Sequence, residues 1–214
     1  MDAIMAGDGI LLILRGLGTT VAITLLSLFF GTLLGGGIYA MTLSRHRWVR
    51  EVAKWWKVIV RGTPMLVLLL IIFTVLLGSR QGLLAAVLAF SINFSNFSAS
   101  LFQSSIASVG AGQVEAGQAL GLSRWQVFRC IVAPQAIANA LPSFRYQAMT
   151  ILKGTSIVGY VAVQDLTQAT KIVAGGLGYN LLPLLMATGV YFLLAWLLNK
   201  LIDAVTKSLI TRWQ

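Results

Sequence analysis

The residues with the most chemical capacity fall in two places. Between Ser91 and Ser105 runs a stretch rich in hydroxyls and amides, in which Asn93, Asn96, Ser100 and Gln103 recur at steps of three, four and three. On a helix this spacing puts them on one face. Neutral amides and hydroxyls do not catalyse; they replace the water shell of a polar solute by hydrogen bonding. Between Gln113 and Pro142 lies a polar island that includes Glu115, Gly121, Ser123 and Gln126. Ser-x-x-Gln is a capping box, and glycine suits the left-handed end of a preceding helix. Other chemistry is absent. The single His46 and single Cys130 make neither a zinc site nor an intrachain disulfide. There is no glycine-rich phosphate loop, since Lys153-Gly154 and Lys207-Ser208 lack the glycine approach. There is also no Gly-x-Ser-x-Gly elbow, no paired histidine motif and no carboxylate in the middle of an apolar run. An ion-coupled carrier would usually place an ionisable group there. The chain reads as a passage without an engine of its own.

The elements that must position these residues are membrane helices. Of the 214 residues 57% are hydrophobic and 10% charged, with a mean hydropathy of +0.85; soluble domains carry about 25% charged residues. Continuous rather than alternating apolar runs favour helices over a barrel. Five spans are expected, at about Leu17–Leu43, Pro64–Leu77 (with Val58 to Val60 extending it at an angle), Leu83–Ile106, Ala136–Leu152 and Leu181–Leu198. The first is read as a retained span, not a cleaved leader. The net charge of +10 follows topology. Eleven of the 16 basic residues fall on one side: Arg45, Arg47, Arg50, Lys54, Lys57 and Arg61 in one loop, Arg124 and Arg129 in the island, and Lys200, Lys207 and Arg212 in the tail. Lys and Arg mark the cytoplasmic side, so the N-terminus lies outside and the C-terminus inside. The expected fold is an all-α integral membrane protein with five transmembrane helices, one domain over residues 1–214, and no nucleic-acid partner.

Several features carry two readings. Gly31 and Gly35 form a small-xxx-small face, for packing within the chain or for contact between subunits. Trp55-Trp56 between Lys54 and Lys57 is an interfacial anchor. The island is expected to hold one helix over Gln113–Leu120 and a second from Ser123 to about Val132, ended by Pro134. These helices either lie on the bilayer surface or dock on a partner. The amide stripe of the third span is either a cavity wall or interhelical glue, the latter worth about 0.6 kcal/mol per contact. The region from Thr155 to Tyr179 is too broken for an ordinary span and fits an external loop with a short helix or a partly re-entrant segment.

The residues also carry a resemblance. Glu115-Ala116-Gly117 with Gly121, then Pro134 and Leu141-Pro142, resembles the EAA loop of bacterial ABC-importer permeases of type I. Arg61-Gly62-Thr63-Pro64, Gln113-Val114-Glu115-Ala116, Leu120-Gly121-Leu122-Ser123, Pro134-Gln135-Ala136 and Lys153-Gly154-Thr155-Ser156-Ile157 resemble the polar amino-acid uptake branch, in order over most of the chain. The resemblance implies a dimeric pore, homo- or heterodimeric, in the bacterial inner membrane. A coupling loop at about residues 107–135 would engage a separate ABC ATPase dimer, which alone would bind ATP and magnesium. An extracytoplasmic solute-binding protein would deliver the cargo. This chain would be no enzyme by itself and would bind no cofactor or metal. Gln113, Glu115, Ala116, Gly117, Gly121, Leu122 and Ser123 would make the ATPase contact. Asn93, Asn96, Phe97, Ser100, Gln103 and Asp165 would line the substrate path. Arg61, Gly62, Thr63, Pro64, Lys153, Thr155 and Ser156 would be structural signature. The chain departs from the family at Phe97, Ser100 and Gln103, where Tyr, Glu and Arg are usual, and at Gly154 in place of Asp. Either the solute is not a typical charged amino acid, or a dimer partner carries the binding charges. Asp165 stands where Glu is usual, either as a ligand contact or gate or as an exposed loop acid. A non-coupled channel or secondary carrier and a membrane scaffold are the competing classes.

Overall fold

Long apolar runs leave the backbone no partners but its own, and every regular element among the described residues is helical. The computed structural model describes residues 2–78, 80–177 and 181–210. Gly178 in the broken region and Arg212 in the basic tail lie outside them. Helix α1 spans Asp2–Thr42, α2 Arg47–Gly62, α3 Met65–Ile71 with a wide π turn at Ile72–Leu76, and α4 Gly82–Ala107. The short α5 (Ala111–Ala119) and α6 (Arg124–Val127) follow. A π turn at Phe128–Val132 then leads into α7 (Ala133–Gly154), a 3₁₀ turn (Thr155–Val161), α8 (Leu166–Leu177) and α9 (Leu181–Ile210).

The core forms where α1 lies along α4. Gly31 and Gly35 face α4: a Cβ on Gly31 would come 2.7 Å from the Phe94 ring, and one on Gly35 would come 2.5 Å from the Ser98 Cβ. The small-residue face therefore packs the chain on itself. Phe94 and Ile23 are fully buried here, with Phe90, Leu69, Ile72 and Ala148 around them. At the other end of α1, a Cβ on Gly16 would sit 2.6 Å from the Asp165 carbonyl oxygen, so α1 also closes tightly on the start of α8.

Four expectations need correction. The basic loop before the second span is the helix α2, because Arg47 to Gly62 alternates polar and apolar residues at helical period. Second, the span at Pro64–Leu77 is not a regular α-helix throughout: α3 widens into a π turn at Ile72–Leu76, while α2, with Val58 to Val60, joins it at an angle of 108°. The bend is local to Arg61-Gly62-Thr63-Pro64. Proline disfavours the helical conformation in the residue before it, and Thr63 is extended (φ −91°, ψ 120°). Thr63 Oγ1 donates back to the Ile59 carbonyl at 2.8 Å, and Pro64 caps α3. Third, α1 starts at Asp2 rather than near Leu17, because Ile10 to Leu14 continue the apolar run. Fourth, Pro134 does not end the second island helix. The π turn immediately upstream widens the backbone where the missing N–H and the ring would otherwise break an α-helix. The chain stays helical from Arg124 to Val161.

Among the described residues three helices are long and apolar enough to cross a membrane, within Gly9–Thr42, Gly82–Ala107 and Leu184–Ala204; the bent pair α2–α3 would make a fourth. Helix α7 covers the expected fourth span, but Pro134, Gln135, Asn139, Pro142 and Arg145 lower its apolarity. Arg145 pairs with Asp203, which ties α7 to α9.

Candidate functional site

The island folds as a designed-looking elbow, and each turn of it follows from a residue type. Helix α5 ends in a Schellman motif: the Leu122 N–H donates to the Gly117 carbonyl at 3.2 Å and the Gly121 N–H to Gln118 at 2.9 Å. Gly121 sits at φ +81°, a conformation that costs a residue with a Cβ about 1–2 kcal/mol. Two residues later the capping box closes. The Ser123 N–H donates to Gln126 Oε1 at 2.8 Å, and the Gln126 N–H donates to Ser123 Oγ at 3.3 Å. Gly117 is buried because α5 crosses the start of the next helix there; a Cβ on it would lie 2.7 Å from Ile131 Cδ1 and 3.1 Å from Val127.

This elbow has its own small core of Val109, Val127, Val132 and Ala136, with Val114, Leu122 and Ile131 packed against it. Polar ties hold it to α7 and to the end of α4: Gln135 Nε2 donates to Gln113 Oε1, and Asn139 Nδ2 donates to Ser108 Oγ at 2.9 Å. The outer surface is exposed. Glu115 and Ala116 project outward, as do Leu120 and the stacked pair Trp125 and Phe128, whose ring centroids are 5.9 Å apart. Leu120, Trp125 and Phe128 thus leave large apolar side chains exposed on a doubly capped elbow outside the bundle core.

Helix α4 divides its polar residues between two opposite faces. Ser91, Ser95 and Ser98 are buried, and Ser91, Ser95 and Ser98 are the atoms that α1 meets at Gly31 and Gly35. They are packing residues: the Ser91 hydroxyl donates to the Val87 carbonyl, and Ser95 Oγ accepts from Trp56 Nε1 at 3.2 Å. Asn93, Asn96, Phe97, Ser100 and Gln103 occupy the other side of the helix. Asn93, Phe97 and Ser100 are half-buried, Asn96 is buried with no partner for its Oδ1, and Gln103 is exposed. Gln103 Oε1 accepts from Lys57 Nζ at 3.2 Å, at the edge of a cavity of about 630 Å³ lined by α2. Partial burial, and then the Arg61 charge beside it, lowers the Lys57 pKa from the ordinary lysine value. The remaining residues of the stripe do not line that cavity.

Asp165 is not an exposed loop acid. It is fully buried and caps α8: its carboxylate accepts from the N–H groups of Thr167 (3.1 Å) and Gln168 (3.0 Å) and from the Tyr191 hydroxyl (3.1 Å). The Leu166 N–H donates to Thr20 Oγ1, so α1, α8 and α9 meet in one polar knot. Tyr191 and Thr20 carry no motif of their own. Asp165 does: Gln168 follows it by three residues, the spacing that marks Ser123 and Gln126. Of the remaining signature residues, Lys153 and Ser156 are exposed, and Thr155 is buried with its hydroxyl on the Leu152 carbonyl at 2.8 Å. No group of three or more metal-ligating side chains occurs among the described residues.

Known proteins share this fold. Residues 27–213 match the family described as binding-protein-dependent transport system inner membrane component. A probable amino-acid ABC transporter permease protein of Bacillus subtilis, YckA, is 35% identical over 76% of this chain and 74% of its own. The nopaline transport system permease protein NocM of Agrobacterium fabrum is 28% identical over 89% and 84%. A crystal structure of an amino acid ABC transporter with histidines superposes with a TM-score of 0.84 at 29% identity, over 97% of this chain and 99% of that one. The MetNI methionine ABC transporter in an inward-facing form shares the fold, with a TM-score of 0.77 at 22% identity over 94% and 97%. The family match over most of the chain, the apolar helices and these permease relatives place the chain in the binding-protein-dependent transport system inner membrane component family, as a multi-pass ABC-importer permease.

Proposed function

We propose that the chain is one half of a dimeric pore that imports a polar amino acid or a related small solute, driven by a separate ATPase. Five spans, α1, α3, α4, α7 and α9, cross the membrane with the N-terminus outside and the C-terminus inside. The elbow between α5 and α6 then faces the cytoplasm, where it inserts into a groove on the ATPase dimer. The observation that carries this reading is the elbow itself, in which a Schellman motif and a capping box back to back hold Glu115, Leu120 and Trp125 on a rigid exposed surface. Because α6 runs through the π turn into α7 without a break, a push on the elbow is delivered directly to a span. Gln113, Glu115, Ala116, Gly117, Gly121, Leu122 and Ser123 form or shape the contact. An extracytoplasmic binding protein delivers the solute, and Asn93, Asn96 and Ser100, with Phe97 beside them, line its path, while Gln103 at the end of the stripe is engaged by Lys57 of α2. Asn96 Oδ1 is buried without a hydrogen-bond partner on this face, and a buried polar group left unpaired in the chain is the exception rather than the rule. The relatives named for amino-acid and nopaline transport favour an amino-acid-like solute.

The test is ATP-driven uptake in proteoliposomes with the co-purified ATPase. Glu115→Lys and Gly121→Asp are expected to abolish uptake and to weaken ATPase retention on a tagged chain, without loss of helical content. Uptake at the wild-type rate in both variants refutes the coupling assignment. Uptake that persists without ATP and stops when an ion gradient is collapsed identifies a carrier instead.

A further inference from the structure

Helix α2 presents three different faces, and one of them packs on the bundle. Ala53 and Val60 are buried against the bundle, with Trp56 hydrogen-bonded to Ser95. Trp48, Val52, Trp55 and Ile59 form a second, exposed apolar face. Arg50, Lys54, Lys57 and Arg61 recur at steps of four, three and four, and together they line the cavity of about 630 Å³ that Gln103 closes on the α4 side. One carboxylate, Glu51, also lines it and lies 3.6 Å from Lys54 Nζ, so four cations face a single acid. Arg50 is held in place by Nη1 donating to the Ser44 carbonyl at 3.0 Å, and Lys57 by Gln103, so two of the four cations are positioned by neutral acceptors.

We infer that this cavity binds the phosphate headgroup of an anionic phospholipid, with α2 lying in the plane of the membrane surface. The inference rests on α3 being a span. The 108° turn at Gly62 to Pro64 then sets α2 nearly parallel to the bilayer. In that attitude the tryptophans enter the acyl boundary while the lysine and arginine stems reach the headgroup layer. Charge complementarity selects the occupant. A zwitterionic headgroup brings its own cation into a site that already holds an excess of three, whereas an anionic headgroup brings phosphate alone. Each cation near an anionic membrane surface favours binding by about fivefold.

The test uses the full chain in nanodiscs, with brominated phosphatidylglycerol or brominated phosphatidylcholine as quencher. The fluorescence of Trp48 and Trp55 is isolated as the difference between the chain and its Trp48→Phe/Trp55→Phe variant. Both lipids should quench this component, and phosphatidylglycerol should do so several-fold more effectively at equal mole fraction. Arg50→Gln/Lys54→Gln/Arg61→Gln should bring the two to parity while quenching by phosphatidylcholine persists; Lys171→Gln, a charge lost elsewhere, should keep the preference. Parity in the unaltered chain overturns the headgroup site, as does a preference that survives in the triple variant or is abolished by millimolar inorganic phosphate. Absence of quenching by either lipid overturns instead the reading of α2 and α3 as interfacial helix and span.

Discussion

Three consecutive glycines on α1 should respond to alanine in opposite directions. A Cβ on Gly35 would lie 2.5 Å from Ser98 Cβ and 2.8 Å from the Ser95 carbonyl oxygen; one on Gly36 would lie 3.7 Å from the Phe102 ring; one on Gly37 would meet nothing within 4 Å. Carbon atoms pack at about 3.5–4.0 Å. Gly35→Ala therefore forces α1 and α4 apart by roughly an ångström, and the Ser95 oxygen is backbone that cannot rotate away. Overpacking of this kind costs about 1–3 kcal/mol. Against it stands a gain of about 0.8–1.0 kcal/mol from replacing a mid-helix glycine by alanine. The net effect at Gly35 is a loss of up to about 2 kcal/mol, whereas Gly37→Ala should gain up to about 1 kcal/mol. For a chain of this size 1 kcal/mol moves the unfolding midpoint by about 2–4 °C, and the two variants differ by the overpacking cost of about 1–3 kcal/mol, so they should separate by roughly 2–12 °C when melted in detergent. Ser98→Gly should recover part of the loss at Gly35 and none elsewhere. Equal midpoints for Gly35→Ala and Gly37→Ala would refute the close α1–α4 packing.

Other positions separate structural from transport roles. Asp165→Ala removes the α8 cap and one partner of Tyr191, for a loss of about 2 kcal/mol or more, whereas Asp165→Asn should lose less; a variant that melts normally yet transports nothing would show that Asp165 is a gate rather than a cap. Gly121→Ala meets no atom within 4 Å, so its effect is backbone strain alone, about 1–2 kcal/mol. Gly121→Asn, which tolerates the left-handed region better, should retain more ATP-driven uptake. Equal uptake by the alanine and asparagine variants would count against a strained elbow as the cause.

What was legible in the sequence was local. Gly121 and the Ser123–Gln126 pair act within a few residues, and the elbow forms as their spacing implies. Arg61-Gly62-Thr63-Pro64 likewise makes its bend with no help from distant residues. Where distant partners or unusual turns decide the outcome, the local pattern is silent. Lys57 finds Gln103 across 46 positions, and Leu166 finds Thr20 across 146. Pro134 would end a regular α-helix, but the π turn before it removes that conflict. Asp165 carried a readable cap signal in Gln168, and its burial depends on Thr20 and Tyr191, which nothing in the sequence joins to it.

The two faces of α4 let one helix hold a bundle together and still carry the polar route proposed for it. The hydroxyls of Ser91, Ser95 and Ser98 are small, and bonds such as Ser91 to Val87 return them to the backbone of their own helix, so α1 can approach as closely as its glycines permit. That face tolerates no larger side chain. The amides on the opposite face are longer, and the Asn96 oxygen is left without a partner inside the chain. A buried unpaired acceptor is destabilising by about 1–3 kcal/mol, and a helix under selection for packing alone would carry an apolar residue there. Exchanging Asn96 for Leu should therefore leave the fold intact or raise its unfolding midpoint, while reducing uptake. A fall in both would return Asn96 to the role of interhelical glue.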